Sequence, residues 1–344
     1  MNVKKPNLFT WATKELSQDA FICWLAAWAN PDCFGNSKYM FESGTAFVHA
    51  LLSKHNISNI EITKVEVERQ LFGVIDVVIK VYTTNKNYLI IIEDKIHSSE
   101  HSNQLARYSS LARNSKHHQE LELLCLFVKT GDQASYASAK KYGYSLFLRS
   151  DFLSLFKVIE SFDGTNDILE DFKTNIISSE NSINSFEKLS IQKWHWDSWK
   201  GFYMFLQKSI NLTDWRYVAN PTGGFLGAWW HFLTWKNFNV YLQIEQGNLC
   251  FKIGEVYKND CNQGSVRNEW HSVVIKEAKK RGFSEIKRPN RFGSGTYMTI
   301  AIVERKDWLG SDDSILDKKQ VIETLLKYEV FLTECVNSVL QKVE

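Results

Sequence analysis

Residues 88–95, YLIIIEDK, pass from five apolar positions directly into Glu93, Asp94 and Lys95. A β-branched apolar run of this length, preceded by the turn residues Thr84, Asn85, Lys86 and Asn87, predicts a strand buried on both faces. Charges at the tip of such a strand are costly unless they are paired. Successive strand residues point to opposite faces, so Glu93 and Lys95 share one face and Asp94 takes the other. The preceding run FGVIDVVIKVY carries Asp76 inside an apolar stretch, 17 positions before Glu93, a spacing at which a hairpin sets the two carboxylates side by side. They repel each other unless a cation lies between them, and an oxygen-only donor set selects a hard ion such as Mg²⁺ or Mn²⁺. A lysine beside it can orient water and stabilise developing negative charge.

Working outward, ELSQDAFICWLAAWA (residues 15–29) places Leu16, Ala20, Cys23, Trp24 and Ala27 at spacings of three and four, which predicts a helix with that face buried. FESGTAFVHALLSKH predicts a second helix. IEITKVEVERQ alternates with period two, with Glu66 and Glu68 on its solvent face. After YLIIIEDK come a polar helix across SNQLARYSSLARN and two further strand-length runs, LELLCLFVK and YGYSLFLRS. The order of helix, three strands, helix, strand and strand defines an α/β domain built on a mixed sheet.

The segments GVID and IIEDK resemble the Asp…(Asp/Glu)-x-Lys signature of the PD-(D/E)XK nuclease superfamily, with Asp76, Glu93 and Lys95 at its three core positions. The superfamily's restriction-endonuclease-like core, a mixed sheet flanked by helices, is similar to the element order above. In QLARY, Gln104 and Tyr108 resemble the QxxxY motif of RecB-type members, which projects toward substrate. Glu15 resembles the acidic residue that many members add as a further metal ligand. The resemblance spans roughly residues 8 to 150 and extends to uncharacterised bacterial PD-(D/E)XK-like proteins with a tryptophan-rich C-terminal half. It implies a Mg²⁺- or Mn²⁺-dependent nuclease, with DNA favoured over RNA, acting in restriction, repair or defence against foreign DNA. Catalysis would rest on Asp76, Glu93, Lys95, Gln104 and Tyr108, and metal binding on Asp76, Glu93 and Glu15. An RNase using the same metal site and a non-catalytic nucleic-acid-binding or regulatory module remain open as alternatives. The six scattered cysteines, none in a CxxC pair, do not match the cluster-bearing RecB-type nucleases.

The remaining sequence sets bounds. Lys plus Arg number 41 against 39 Asp plus Glu, so a nucleic-acid surface must be a local patch. One candidate runs from Lys276 to Arg291, where seven basic residues face two acidic ones, with Lys280, Arg281, Lys287 and Arg288 as phosphate contacts or as a solvated helix end. No segment approaches the roughly 18 uninterrupted apolar residues of a membrane span, and cysteine usage suits a reduced compartment, so a cytoplasmic protein is expected. SSENSINSFEKLSIQ (178–192) predicts a boundary between a nuclease-like domain over 1–180 and an α+β accessory or recognition domain over 190–344. Nine of the twelve tryptophans lie in that second part, from Trp194 to Trp308. They are expected in its core more than on a base-stacking surface. A homodimer or a protein partner through this domain is left open. His97 and His101 have a zinc-like spacing without a third ligand and are expected as polar loop or substrate-side residues.

Overall fold

The computed structural model describes residues 5–71, 73–98, 103–114, 120–220, 223–256 and 262–340. The chain divides into two compact units, Met1–Asn181 and Ser182–Glu344.

In the first unit, α1 (Glu15–Ala27) and α2 (Lys38–Ser53) precede the meander β1 (Ile62–Leu71), β2 (Ile75–Thr83) and β3 (Tyr88–Lys95). There follow α3 (Gln104–Asn114), β4 (Glu122–Lys129), α4 (Ala137–Lys141), β5 (Ser145–Leu148), α5 (Arg149–Ile159) and α6 (Asp167–Ile183). The five strands form one sheet in the order β1-β2-β3-β4-β5. β1, β2 and β3 pair antiparallel, whereas β4 joins β3, and β5 joins β4, in parallel. The mixed sheet flanked by helices is the restriction-endonuclease-like α/β arrangement. All eight residues of β3 are buried, because it lies at the centre of the sheet with apolar clusters on both faces. Ile90 and Ile92 pack toward α1, α2, α5 and α6, where Phe21 stacks on Phe172, and Leu89 and Ile91 pack toward α3 and α4. On the edge strand β1, Glu66 and Glu68 are half-buried, ion-paired to Lys64 and Lys80 respectively.

The α1 helix forms where periodicity places it, but with a different face inward. Leu16 and Ala20 are exposed, while Gln18, Asp19, Phe21, Ile22, Leu25 and Ala26 are buried. Apolar residues occur on both sides of this helix; the inward side buries Phe21, Ile22, Leu25 and Ala26 in the core, and its Gln18 bonds Asp94 of β3 and Thr130 just after β4. The run YGYSLFLRS yields only a four-residue strand: the Asp151 carboxylate accepts the Leu148 N–H at 2.7 Å and starts α5 there. The polar stretch 178–192 is helical as far as Ile183 and then forms short 3₁₀ turns.

The second unit contains α7 (Trp196–Ser209), β6 (Leu212–Asn220), β7 (Gly223–Trp235), β8 (Phe238–Glu245), β9 (Asn248–Gly254), α8 (Gln263–Arg281), β10 (Met298–Val303), α9 (Arg305–Trp308) and α10 (Lys318–Leu340). Its five strands form a second, antiparallel sheet in the order β10-β9-β8-β7-β6, giving the α+β second domain. One sheet face is covered by helices: Phe251 meets Tyr328 and Phe331 of α10, and the Trp230 indole donates to Glu329 at 2.8 Å. Trp230, Trp235 and Trp270 are buried there, as expected of core tryptophans. Among the described residues, no helix is long and apolar enough to cross a membrane.

Candidate active site

The β2/β3 register pairs Val77 with Ile92, which brings the next residues, Asp76 and Glu93, to the same end of the sheet. The Asp94 N–H donates to Asp76 Oδ2 at 3.1 Å. Lys95 Nζ lies 2.5 Å from Glu93 Oε1 and 3.8 Å from both Asp76 Oδ2 and Glu15 Oε2. Three carboxylates singled out in the sequence, Asp76, Glu93 and Glu15, therefore converge on the Lys95 ammonium. The β3 end is no solvated tip, since Glu93 and Lys95 are 1% and 7% exposed.

Electrostatics follow from this burial. Glu93 is pushed up to about 8, first by desolvation and then by the charge of Asp76, against the opposing pull of Lys95. Burial likewise raises Asp76. Burial disfavours the charge on Lys95, but Glu93, Asp76 and Glu15 together hold its ammonium above the ordinary range. Glu15 moves the other way: desolvation is outweighed by the Ser98 hydroxyl, the Ile96 N–H and Lys95. Its Oε1 accepts from Ser98 at 2.6 Å and from Ile96 at 3.2 Å.

The donor set fits a hard divalent cation, because the buried Glu93 and the half-buried Asp76 repel each other and, of the Glu93 oxygens, Oε1 meets only Lys95 while Oε2 has no hydrogen-bond partner. Among the described residues, no three carboxylate, imidazole or thiolate groups are grouped as ligands. The described set is therefore the Asp76–Glu93 pair, with Glu15 turned toward Lys95 and the β3–α3 loop.

Gln104 and Tyr108 sit on the first turns of α3, where Gln104 Nε2 donates to Tyr108 Oη at 2.8 Å. Tyr108 is 5% exposed and belongs to the apolar cluster under α3, so it is a packing residue as well as a polar one. The buried Tyr144 hydroxyl donates to the Leu105 carbonyl at 3.1 Å. Its phenol is raised by burial and then by Cys125, Glu93, Tyr108 and Asp76. His97 is exposed, and His101 lies outside the described residues.

A buried polar layer behind the site escaped sequence reasoning. Gln18 Nε2 donates to Asp94 Oδ1 at 2.6 Å, and Gln18 Oε1 accepts from Thr130 Oγ1 at 2.7 Å. Arg149 clamps Asp132 with two bonds of 2.7 and 2.8 Å, and also donates to the Thr130 carbonyl and to Glu180. The only sequence signal was polar residues on an otherwise apolar helix, which periodicity assigns to solvent. In the second unit, Arg281 is ion-paired with Glu277 and Glu334, Lys280 with Glu277, and Lys287 with Glu304. Arg288 stacks on the Phe292 ring at 4.3 Å.

A mixed sheet delivering two carboxylates and a lysine to the end of its central strand defines a restriction-endonuclease-like α/β protein. The family model of the PD-(D/E)XK nuclease superfamily matches residues 12–204, more than half of the chain, and the chain belongs to that superfamily. Comparison with curated proteins and with solved structures gave no match.

Proposed function

We propose that this protein is a Mg²⁺- or Mn²⁺-dependent nuclease, with DNA favoured over RNA as substrate, of the RecB-like, QxxxY-bearing type. The observation that supports this reading is the convergence of Asp76, Glu93, Lys95 and Glu15 at one sheet end. In it, Asp76 and Glu93 hold the cation, and Glu15 supplements them while positioning Lys95. Bound there, a divalent cation supplies Lewis-acid polarisation of the phosphoryl oxygen and acidifies a coordinated water. Lys95 orients the attacking water by hydrogen bonding and stabilises the negative charge that grows on the phosphoryl oxygens. Gln104 and Tyr108 position the scissile strand. A domain over about residues 1–180 carries this chemistry, and one over 190–344 recognises substrate.

The test is cleavage of labelled single- and double-stranded DNA and RNA with Mg²⁺, Mn²⁺ or EDTA by wild type and by Asp76→Ala, Glu93→Ala and Lys95→Ala. Cleavage that needs metal and vanishes in each folded variant is expected. Metal-dependent cleavage retained in all three would overturn the assignment. No cleavage by wild type of any substrate would favour the non-catalytic module.

A further inference from the structure

The face of the second sheet opposite its helices carries a cavity of about 510 Å³, within the roughly 300–1,000 Å³ usual for ligand sites. Its lining alternates strictly along β8, where Asn239, Tyr241, Gln243 and Glu245 face it while Val240, Leu242 and Ile244 enter the core. β7 would break this pattern without its bulge. The register shift between Trp230 and Leu233, with His231 at φ 55°, restores phase so that both Trp229 and Phe232 face the cavity. Phe232 then stacks on Tyr241 at 4.7 Å and 22°. On β9, a Cβ at Gly254 would stand 2.9 Å from the Tyr297 ring, so only glycine lets that ring lie across the strand.

The polar groups are fixed and mutually neutralised. Gln243 and Lys252 are each 8% exposed; both donate to Glu245, at 2.9 and 3.1 Å, and Lys252 also donates to Thr299 at 2.9 Å. Asn239 donates to Glu255 at 3.3 Å, and Arg216 lies over the Trp229 ring at 5.1 Å. The carboxylates of Glu245 and Glu255 oppose a phosphate in the cavity, and Arg216 and Lys252 oppose a cation. What suits the site is a neutral, flat ring with hydrogen-bonding edges: aromatic faces for stacking, and amides held in place by carboxylates for the edge. Phe232 and Tyr297, 44% and 60% exposed, stand where an incoming ring would meet them.

We propose that this cavity binds an unpaired nucleobase of a single-stranded stretch of nucleic acid, making the second sheet a base-reading surface. This rests on the nucleic-acid reading above and adds to it where on the chain bases, as distinct from phosphates, are held. In a paired duplex the base faces are stacked and closed to such a site, whereas a splayed single strand offers them.

The experiment measures binding by the full chain in EDTA, so that cleavage does not enter. The probes are a labelled single strand, the same strand with abasic residues, a duplex, and free nucleosides as competitors. Wild type is expected to prefer the normal strand to the abasic one and to the duplex. Phe232→Ala and Tyr297→Ala, at exposed positions that leave the core intact, should each weaken normal-strand binding about 5- to 150-fold, the range for losing one stacked base. Neither should change abasic-strand affinity or the salt slope. Equal affinity of wild type for normal and abasic strands, or undiminished binding by both variants, would overturn the proposal. So would free nucleosides binding as tightly as the strand, which would make the cavity a small-molecule site. A wild type that cleaves yet fails these tests would leave the nuclease reading standing, and one that never cleaves yet passes them would leave the base site standing.

Discussion

Asp19 and Asp94 are both buried, and each has one carboxylate oxygen without a hydrogen-bond partner. Desolvation, followed by the charge of Asp76, pushes Asp19 up to about 6, and complete burial followed by the charge of Asp19 carries Asp94 well above the carboxylate range. Burial and like charge both favour a protonated carboxyl at this pair. Asp19 is raised by folding, so the native state holds a proton that the unfolded chain releases. The stability it confers is present in full at low pH and is lost as pH rises through about 6, with Asp94 extending the loss upward. Thermal unfolding in EDTA should therefore show a falling Tm across this range. Asp19→Asn, which supplies a fixed N–H donor, should flatten the fall and exceed wild type near pH 7.5. A wild-type Tm independent of pH over that range would contradict this reading. At the metal pair, Asp76→Ala and Glu93→Ala should weaken Mn²⁺ binding in calorimetry, while Lys95→Ala should spare it. Because Lys95 is buried against Glu93, its loss should also lower Tm and push the Glu93 carboxyl still further up, since the opposing pull of the ammonium is gone.

The ends of β3 and β4 are held together more tightly than their ladder requires. A Cβ at Gly131, just after β4, would fall 2.0 Å from the Ile96 carbonyl oxygen, directly after β3. Ile96 is also the residue whose N–H fixes Glu15. Gly131→Ala must therefore displace backbone at the site, and it is expected to lower both Tm and turnover, whereas Gly143→Ala, which meets no atom within 4 Å but has φ 78°, should affect stability alone. On α3, the burial of Tyr108 makes alanine a poor test, since a large-to-small change there opens a cavity. Tyr108→Phe keeps the packing and removes the hydroxyl bonded to Gln104. With Gln104→Ala, it should reduce turnover partially, less than the loss of Asp76 or Glu93, because positioning groups act on strand orientation and leave the cation in place. Wild-type rates in both variants would return α3 to a purely structural element.

For the molecule as a whole, net charge offers no long-range attraction to nucleic acid, so affinity must come from local contacts. In the Lys276–Arg291 region, the Lys280 and Lys287 side chains are 67% and 49% exposed, while Arg281 is shared between Glu277 and Glu334. Neutralising Lys280, Arg281, Lys287 and Arg288 together should weaken binding of the full chain to duplex DNA. It should also flatten the dependence of log affinity on log salt by about 0.9 for each phosphate that is no longer neutralised. A salt titration in Ca²⁺ or EDTA measures this. An unchanged slope with unchanged affinity would make the run a solvated helix end.

Asp76, Glu93 and Lys95 were legible from residue order, because strand alternation and hairpin register are local rules and charges ending an apolar run stand out against them. The same locality let α1 be read as a helix from its apolar spacing, and the mixed sheet from the order of its strands. Which face of α1 turns inward was not legible: both faces carry apolar side chains, and the partners of the inward one are distant in sequence, from Phe172 against Phe21 to Asp94 and Thr130 against Gln18, 76 and 112 residues away. Burial of Glu93, Asp94 and Lys95 likewise depends on the sheet and helices that surround the strand end, as does the upward shift of Glu93. The cavity of the second unit was hidden for a related reason. Its aromatic residues are interleaved along β7 with those of the core, and only the bulge at His231 and the pairing of β7, β8 and β9 decide which rings face the cavity and which are buried.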